Sequence, residues 1–201
     1  MSELLSDLYG AGHGVREVVF SFADGPDPTN TPKLLDVLAK HAVKAIFFVL
    51  GQNLESTTKK EIFHRISTEG HYVGNHSYSH PNLTKLTKKQ IRSEIAKTEA
   101  LIGKADRGIK LLRPPYGAHN AVVDQVAHDM GYRIVLWNVD TLDWHAKYKP
   151  GKWVQHGLDQ IEAREHSLVL AHDIHSTTVA KADKFIAAIK AMPNVQFPTY
   201  A

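Results

Sequence analysis

Short apolar runs rich in Val, Ile and Phe alternate with longer stretches of helical period, and the alternation continues to the C-terminus. The strand-like runs lie at residues 18–22, 45–50, 72–75, 111–113, 134–139, 168–171 and, more weakly, 195–197. The helical stretches lie at residues 32–42, 59–69, 88–103, 120–130, 152–164 and 179–192. About seven strands with helices between them predict a parallel α/β architecture, either a barrel or a doubly wound sheet. No linker, repeat or low-complexity segment interrupts the pattern, so we expect residues 1–201 to form one domain.

The residue composition excludes several classes of protein. The absence of Cys removes disulfide scaffolds, thiolate zinc sites, iron–sulfur clusters and Cys nucleophiles. A net charge of +3 is too small for a basic stripe that follows phosphates, so we expect no nucleic-acid partner. Thirteen His residues in 201 are many, and any metal ion must be held by His and carboxylate side chains.

The apolar runs are too short to cross a bilayer. Residues 45–50, one of the longest, fall far below the roughly 20 residues that a span requires, so we expect no membrane span. The first residues do not combine a basic start with an apolar stretch, as a secretory signal would. We therefore expect a cytoplasmic protein if the chain is complete, and a secreted or periplasmic one if a signal segment was removed.

Polar side chains follow the predicted strands at the point where each strand ends. These residues are Asp24, His76, His80, Arg113, Asp140, Asp143 and His172. Loops at the C-terminal ends of parallel strands converge to build a site. We therefore expect these side chains to meet in space.

Two His residues and one Asp have the composition of a catalytic metal site. His76 and His80 are separated by four positions, a spacing that can present both imidazoles to one ion. A close His pair also arises by chance in a His-rich chain, so the pair alone is weak evidence. Asp24, just before the Gly25-Pro26 turn, adds an anionic third ligand and leaves positions open for water and substrate.

Five segments of the chain resemble, in order, the motifs of the NodB-homology polysaccharide deacetylases, family four of the carbohydrate esterases. The segments are Ser21-Phe22-Ala23-Asp24-Gly25-Pro26, His76-Ser77-Tyr78-Ser79-His80, Arg113-Pro114-Pro115-Tyr116-Gly117, Asp140-Thr141-Leu142-Asp143-Trp144 and Leu170-Ala171-His172-Asp173. The resemblance runs from about Val18 to the end of the chain. Five ordered matches are far more specific than any one of them.

The resemblance implies a fold, a metal ion and a set of roles. The fold would be a distorted (β/α) barrel of seven or eight mostly parallel strands. One divalent ion, zinc in most relatives with Co²⁺, Ni²⁺ or Mn²⁺ as alternatives, would be held by Asp24, His76 and His80. Ala23 would occupy the general-base position, and Arg113 would tune the base. His172 would act as general acid, with Asp143 as its orienting carboxylate. Tyr116 would be an oxyanion donor through its backbone N–H, Trp144 and Leu170 would form the acetyl pocket, and Pro114 would lie beside the substrate.

Ala23 departs from the family pattern. The family carries two adjacent carboxylates here, and the first acts as general base. A methyl group accepts no proton, and general-base assistance is worth roughly 10²–10⁴ in rate, so we expect a very poor catalyst. A natural pseudoenzyme and a deliberate Asp-to-Ala replacement are both compatible with this residue. The presence of Arg113, Asp143 and His172 favours the replacement, because a chain released from catalysis has no reason to keep them.

The leading hypothesis is a metal-dependent deacetylase that removes N-acetyl groups from N-acetylglucosamine units of a chitin oligosaccharide or peptidoglycan. Its partners would be the acetylated glycan and the acetate product, and the sequence leaves the oligomeric state undetermined. An O-acetyl esterase acting on xylan is an alternative, since ester and amide hydrolysis need the same groups. A non-catalytic glycan-binding protein is the alternative that Ala23 keeps open.

Residues beside the motifs receive separate expectations. We expect Asp140 to cap a loop and Trp137 to lie in the core. His119, His145 and His175 flank the motif loops and are candidates for lining a sugar cleft.

Overall fold

The computed structural model describes residues 14–198, so the expectation of one domain over residues 1–201 extends beyond the described part at both ends. The strands are β1 Arg16–Ala23, β2 Ala45–Val49, β3 Tyr72–Asn75, β4 Leu111–Leu112, β5 Arg133–Ile134, β6 Val139–Asp140, β7 His166–His172 and β8 Val195–Gln196. The α-helices are α1 Asn30–His41, α2 Thr57–Thr68, α3 Lys88–Ile102, α4 Ala121–Asp129, α5 Lys152–Glu162 and α6 Ser176–Lys190.

All eight strands within residues 14–198 belong to one sheet. Seven of them follow the order β5-β4-β3-β2-β1-β7-β6, and β8 pairs with the start of β1. Every strand pairing is parallel, so the C-terminal strand ends lie along one edge. The predicted parallel α/β architecture is therefore observed, and the weak strand predicted at residues 195–197 is present as β8.

Side-chain alternation on β1 divides the interior into two layers. Val18, Phe20 and Phe22 belong to the core that the sheet forms with helices α1, α5 and α6. Val19 and Ala23 point to the opposite face, where they pack in a smaller cluster with side chains of β2, β4 and β7. Because successive residues of a strand face opposite sides, Ser21 and Ala23 share this inner face.

The fifth predicted strand, residues 134–139, is wrong as a single element. It is split into β5 and β6, which are the two ends of the strand order, and residues 135–138 between them have no strand pairing. The carbonyl oxygens of Val135 and Leu136 accept hydrogen bonds from the Arg113 side chain at 3.2 and 2.7 Å. The apolar pattern of this segment is that of a strand, but two of its backbone carbonyls are hydrogen-bonded to the side chain of Arg113, which directly follows β4.

The helices are too short or too polar to span a bilayer in the part of the chain from residue 14 to residue 198.

A candidate metal and catalytic site at the strand ends

A cavity of about 520 Å³ lies among the loops that follow β1, β3, β4, β6 and β7. Its walls combine titratable and aromatic side chains with a few small or aliphatic ones. The lining residues are Ala23, Asp24, His76, His80, Arg113, Tyr116, Gly117, Trp137, Asp140, Trp144, Leu170, His172, Ile174 and His175. The structure therefore brings together the polar residues that the sequence placed at strand ends, with Asp143 buried beneath His172.

Asp24, His76 and His80 form the one candidate metal cluster among residues 14–198. Asp24 Oδ1 lies 3.2 Å from Nε2 of His76 and 3.4 Å from Nε2 of His80. One ligand atom from each residue lies within 4.8 Å of the others. His76 Nδ1 lies 2.7 Å from the Arg113 carbonyl oxygen, and a proton donated there leaves the Nε2 lone pair free for a cation.

Local backbone geometry orients the side chains of these candidate ligands. Asp24, Ser77 and His80 have φ values of 75°, 68° and 62°, in the left-handed region that non-glycine residues rarely adopt. Hydrogen bonds hold the two loops in place: the Asn53 amide donates to the Asp24 carbonyl at 2.8 Å, and the His80 N–H donates to Ser77 Oγ at 3.1 Å. Strained backbone supported in this way is typical of ligand-binding sites.

The pKa values of Asp24 and His80 favour the protonation states in which these side chains can bind a cation. Burial raises the pKa of the Asp24 carboxyl, but the adjacent imidazole of His76 and the charges of His172 and His80 outweigh it and lower the pKa to about 2. Burial lowers the pKa of His80, although Asp24 opposes the shift. A charged carboxylate beside a neutral imidazole is the state in which both side chains bind a cation.

His172 is held by a fully buried carboxylate. Its Nδ1 lies 2.7 Å from Asp143 Oδ1, and its backbone N–H donates to Oδ2 at 2.8 Å. Thr178, at the start of α6, donates its hydroxyl to the same Oδ2 at 2.7 Å. Burial lowers the pKa of His172, but the hydrogen bond and charge of Asp143 outweigh burial, so the pKa is raised. The imidazole is thus oriented with Nε2 as its remaining proton-bearing atom.

Arg113 is fully buried and lines the same cavity as Ala23. Its guanidinium carbon lies 4.0 Å from the centre of the Phe48 ring and 5.5 Å from that of Trp137, and Nη2 donates to Ser21 Oγ at 2.9 Å. Burial lowers the pKa of Arg113 to about 9, so the side chain remains charged at neutral pH. Ala23 is also buried and supplies only a methyl group to the cavity wall.

The predicted substrate residues take different positions. Tyr116 and Trp144 are exposed over 68% and 49% of their surface, so both aromatic rings are available at the cavity rim. Tyr116 has φ 62°, and its ring centre lies 4.6 Å from that of His80. Leu170 is buried in the cavity wall, whereas Pro114 is buried and does not line the cavity.

The expectations for residues beside the motifs can be compared with the cavity. Asp140 caps its loop as expected, accepting from the Leu142 N–H at 2.9 Å, and it also lines the cavity. Trp137 is partly buried and lines the cavity rather than sitting fully in the core. His175 lines the cavity, whereas His119 lines a separate apolar cavity of about 380 Å³ and His145 lines neither.

Several residues that support the site were given no role by the sequence, although Ser21 and Asp173 lie within motif segments. Ser21 and Thr178 contact it only through residues distant in the chain. Asp173 is fully buried against Gly25, where a side chain on the glycine would collide with its carboxylate. Thr31, in the first turn of α1, donates a 2.5 Å hydrogen bond to Asp173, which ties the start of this helix to the loop after β7. The Asp173 position within its motif is the only sequence cue to this contact.

Comparisons with known proteins converge on one family. A sequence profile described as polysaccharide deacetylase matches residues 11–135. A peptidoglycan-N-acetylglucosamine deacetylase of Bacillus cereus is 46% identical over 129 residues, which cover 64% of this chain and 46% of that protein. A chitooligosaccharide deacetylase of Rhizobium leguminosarum bv. trifolii is 38% identical over 81% of this chain and 74% of that protein. The chain spans about half of the Bacillus cereus protein's length and about a third of other matched peptidoglycan deacetylases.

Solved structures share the fold. A family 4 carbohydrate esterase from Streptomyces lividans, in complex with acetate, is 30% identical with a TM-score of 0.79, covering 92% of each chain. A family 4 pseudoenzyme from Bacillus anthracis is 29% identical with a TM-score of 0.79, covering 95% of this chain and 68% of that one. A mutant pseudoenzyme of this kind with restored enzymatic activity has a TM-score of 0.77 and 31% identity, covering 92% of this chain and 68% of that one. These matches confirm the predicted distorted (β/α) barrel of seven or eight mostly parallel strands.

Proposed function

The chain belongs to the polysaccharide deacetylase family, and from that membership we propose that it is the hydrolytic domain of a metal-dependent N-deacetylase with Ala23 at the general-base position. The substrate is a chitin oligosaccharide or peptidoglycan, whose N-acetylglucosamine units are hydrolysed to acetate and a free amine. The observation that carries the proposal is that the Asp24–His76–His80 cluster and the Asp143-backed His172 line the same cavity.

The donor set fits a divalent cation. Asp24 Oδ1 is buried and has no hydrogen-bond partner of its own, although two imidazole nitrogens face it. Two imidazoles and one carboxylate with open positions suit zinc, and Co²⁺, Ni²⁺ and Mn²⁺ accept the same ligands. When bound, such an ion would polarise the acetyl carbonyl and lower the pKa of water toward about 7. Asp24, His76 and His80 would hold it, and His172 lines the same cavity.

His172 supplies the proton that amide cleavage requires. An amine leaves only after protonation, and a positioned His contributes about 10²–10⁴ to such a step. Asp143 holds Nδ1 and stabilises the charged imidazolium, so Nε2 is the atom that donates. Because Asp143 is fully buried and its two oxygens are already bound, it orients His172 and does not itself reach the substrate.

The aromatic rim and the apolar wall hold the sugar. Tyr116 and Trp144 expose rings on which a sugar face can pack, and Leu170 provides an apolar surface for the acetyl methyl group. The Tyr116 backbone N–H is a donor for the negative charge that develops on the acetyl oxygen. The sugar is thereby placed with its acetamide between the metal ligands and His172.

A non-catalytic glycan-binding protein is the second candidate. Ala23 removes the proton acceptor, and one solved relative is described as a pseudoenzyme of family 4. In that case the same aromatic rim and metal ligands would hold a glycan without cleaving it. The two candidates differ in one property, which is whether a carboxylate at position 23 is sufficient to restore hydrolysis.

A substrate panel on the Ala23→Asp variant tests the proposal. Acetate release is measured from N-acetylglucosamine oligomers, peptidoglycan and acetylated xylan, with the parent chain and a chelator-treated sample as controls. Metal-dependent release from the N-acetylated glycans supports the proposal. Release from xylan alone identifies an O-acetyl esterase, and no release from any substrate by folded, metal-loaded protein leaves the glycan-binding candidate.

A further inference from the structure

Residues 76–80 form the loop that carries both candidate His ligands, and each backbone N–H of this loop has a hydrogen-bond acceptor. The N–H groups of Tyr78 and Ser79 both donate to Oε2 of Glu94, at 2.9 and 2.8 Å. Glu94 lies on α3, 16 positions beyond Tyr78. A side chain distant in the chain therefore satisfies two consecutive N–H groups of the loop. The other three acceptors are the Val49 carbonyl, the Asn75 side-chain oxygen and Ser77 Oγ.

Glu94 also bonds to a side chain of the loop. Its second oxygen, Oε1, accepts from Ser79 Oγ at 3.0 Å, so the carboxylate accepts three hydrogen bonds from two consecutive residues. Hydrogen bonds to an ionised acceptor are roughly twice as strong as those between neutral groups. From the other side, the Ser77 and Tyr78 carbonyls accept from the backbone N–H groups of residues 51–52, at 3.0 and 3.1 Å. The loop is thus fixed between α3 and the segment that follows β2.

The orientation of His80 depends on this loop. His80 directly follows Ser79 and has φ 62°, in the left-handed region that non-glycine residues rarely adopt. Such a conformation persists only where the surrounding structure holds it. Because His80 Nε2 lies 3.4 Å from Asp24 Oδ1, a change in the backbone at residues 78–79 would alter the distance between these two ligand atoms. Glu94 does not line the cavity, so it acts on the site through the loop backbone.

We propose that Glu94 is a positioning residue for the candidate metal site. Its carboxylate holds Tyr78 and Ser79 in the conformation that turns the His80 imidazole toward Asp24, and this raises the affinity of the site for a divalent cation. Groups that orient metal ligands in this way typically contribute about 10–100-fold to metal affinity. The inference rests on the metal site of the proposed function and goes beyond it, because Glu94 is not itself a ligand.

Three substitutions of Glu94 separate its reach from its charge. Glu94→Gln keeps the length and an acceptor oxygen for the two N–H groups but removes the charge, and its NH₂ can donate to the Ser79 hydroxyl. Glu94→Asp keeps the charge but is one methylene shorter, so its carboxylate is withdrawn from the loop. Glu94→Ala removes both properties. Glu99→Ala is the matched control, because Glu99 lies on the same helix and pairs with Lys110 instead of the loop.

Calorimetric titration of the metal-free proteins with Zn²⁺ alone tests the proposal, and the Tm of each metal-free protein reports its folding. We expect Glu94→Ala and Glu94→Asp to weaken zinc binding by about 10–100-fold. Glu94→Gln and Glu99→Ala should bind nearly as tightly as the parent chain. If Glu94→Ala does not fold, the comparison of Glu94→Asp with Glu94→Gln tests the same claim.

Two results would overturn this inference alone. One is a parent that binds zinc while every folded Glu94 variant binds it equally well, even if Tm falls, because Glu94 would then support the fold and not the ligands. The other is a loss of affinity in Glu94→Gln as large as in Glu94→Asp, because the charge of Glu94 and not its reach would then matter. A folded parent that binds no zinc would instead overturn the metal site of the proposed function, and this inference with it.

Discussion

Replacing Asp143 with Asn isolates the charge that His172 receives from its buried partner. The amide oxygen of Asn can still accept from the His172 N–H and from the Thr178 hydroxyl, which Oδ2 of Asp143 does at 2.8 and 2.7 Å. The amide NH₂ then faces His172 Nδ1 in place of a carboxylate oxygen at 2.7 Å. Nδ1 must therefore accept, and the neutral imidazole is favoured over the imidazolium.

The magnitude follows from the loss of a general acid. Asp143 is fully buried, so solvent does not screen its interaction with His172, and its removal lowers the raised pKa of that imidazole. We expect Asp143→Asn, made together with Ala23→Asp, to lower amide hydrolysis by about 10²–10⁴. Hydrolysis that needs protonated His172 is lost as pH rises through its pKa, so the alkaline limb of the pH–rate profile should move to lower pH.

The assay compares two substrates in the same protein. Acetate release from an N-acetylglucosamine oligomer requires a protonated leaving amine, whereas an aryl acetate loses a leaving group that needs no proton. We expect the large loss on the amide and less than about a ten-fold loss on the aryl acetate. Equal losses on both substrates, or an unmoved alkaline limb, would remove His172 from the acid role. A Tm close to that of the Ala23→Asp single variant shows that the double variant is folded.

Two further predictions concern metal binding and proton binding. The parent chain should bind one divalent ion with a rise in Tm, and His80→Ala should weaken that binding at least about ten-fold by calorimetry, whereas unchanged affinity would exclude His80 as a ligand. Burial raises the pKa of Asp173 to about 7, so its neutral form contributes stability that is lost as pH rises from about 4 to 7. Asp173→Asn should remove up to about 3 kcal/mol of that fall in urea unfolding between pH 5 and pH 8, because about two pKa units of the shift lie in this interval, and an unchanged fall would exclude Asp173 as its source.

The topology and the site position could be predicted from the sequence because both depend on local patterns. The strand–helix alternation predicted a parallel architecture, and parallel strands carry Asp24, His76 and His172 to one edge regardless of helix detail. Asp140 begins the fourth motif and His145 directly follows it, and position along the chain did not reveal that Asp140 lines the cavity and His145 does not.

Contacts between distant segments could not be predicted in this way. The apolar run at residues 134–139 reads as one strand, but the carbonyls of Val135 and Leu136 accept hydrogen bonds from the Arg113 side chain. Thr178 donates a hydrogen bond to Asp143, which is 35 positions away, and Asp173 accepts one from Thr31, which is 142 positions away. A Thr or an Asp alone carries no sign of such a partner. These are tertiary interactions that override the local pattern.

The rate of acetate release by Ala23→Asp tests the central claim most directly. The parent and the Ala23→Asn variant, which matches the size of Asp but lacks its charge, are measured beside it on an N-acetylglucosamine oligomer, with metal content and Tm recorded for all three. The account predicts that Ala23→Asp exceeds both by roughly 10² or more, since only a carboxylate accepts the proton. Equal rates for Ala23→Asp and Ala23→Asn in folded, metal-loaded protein would contradict it.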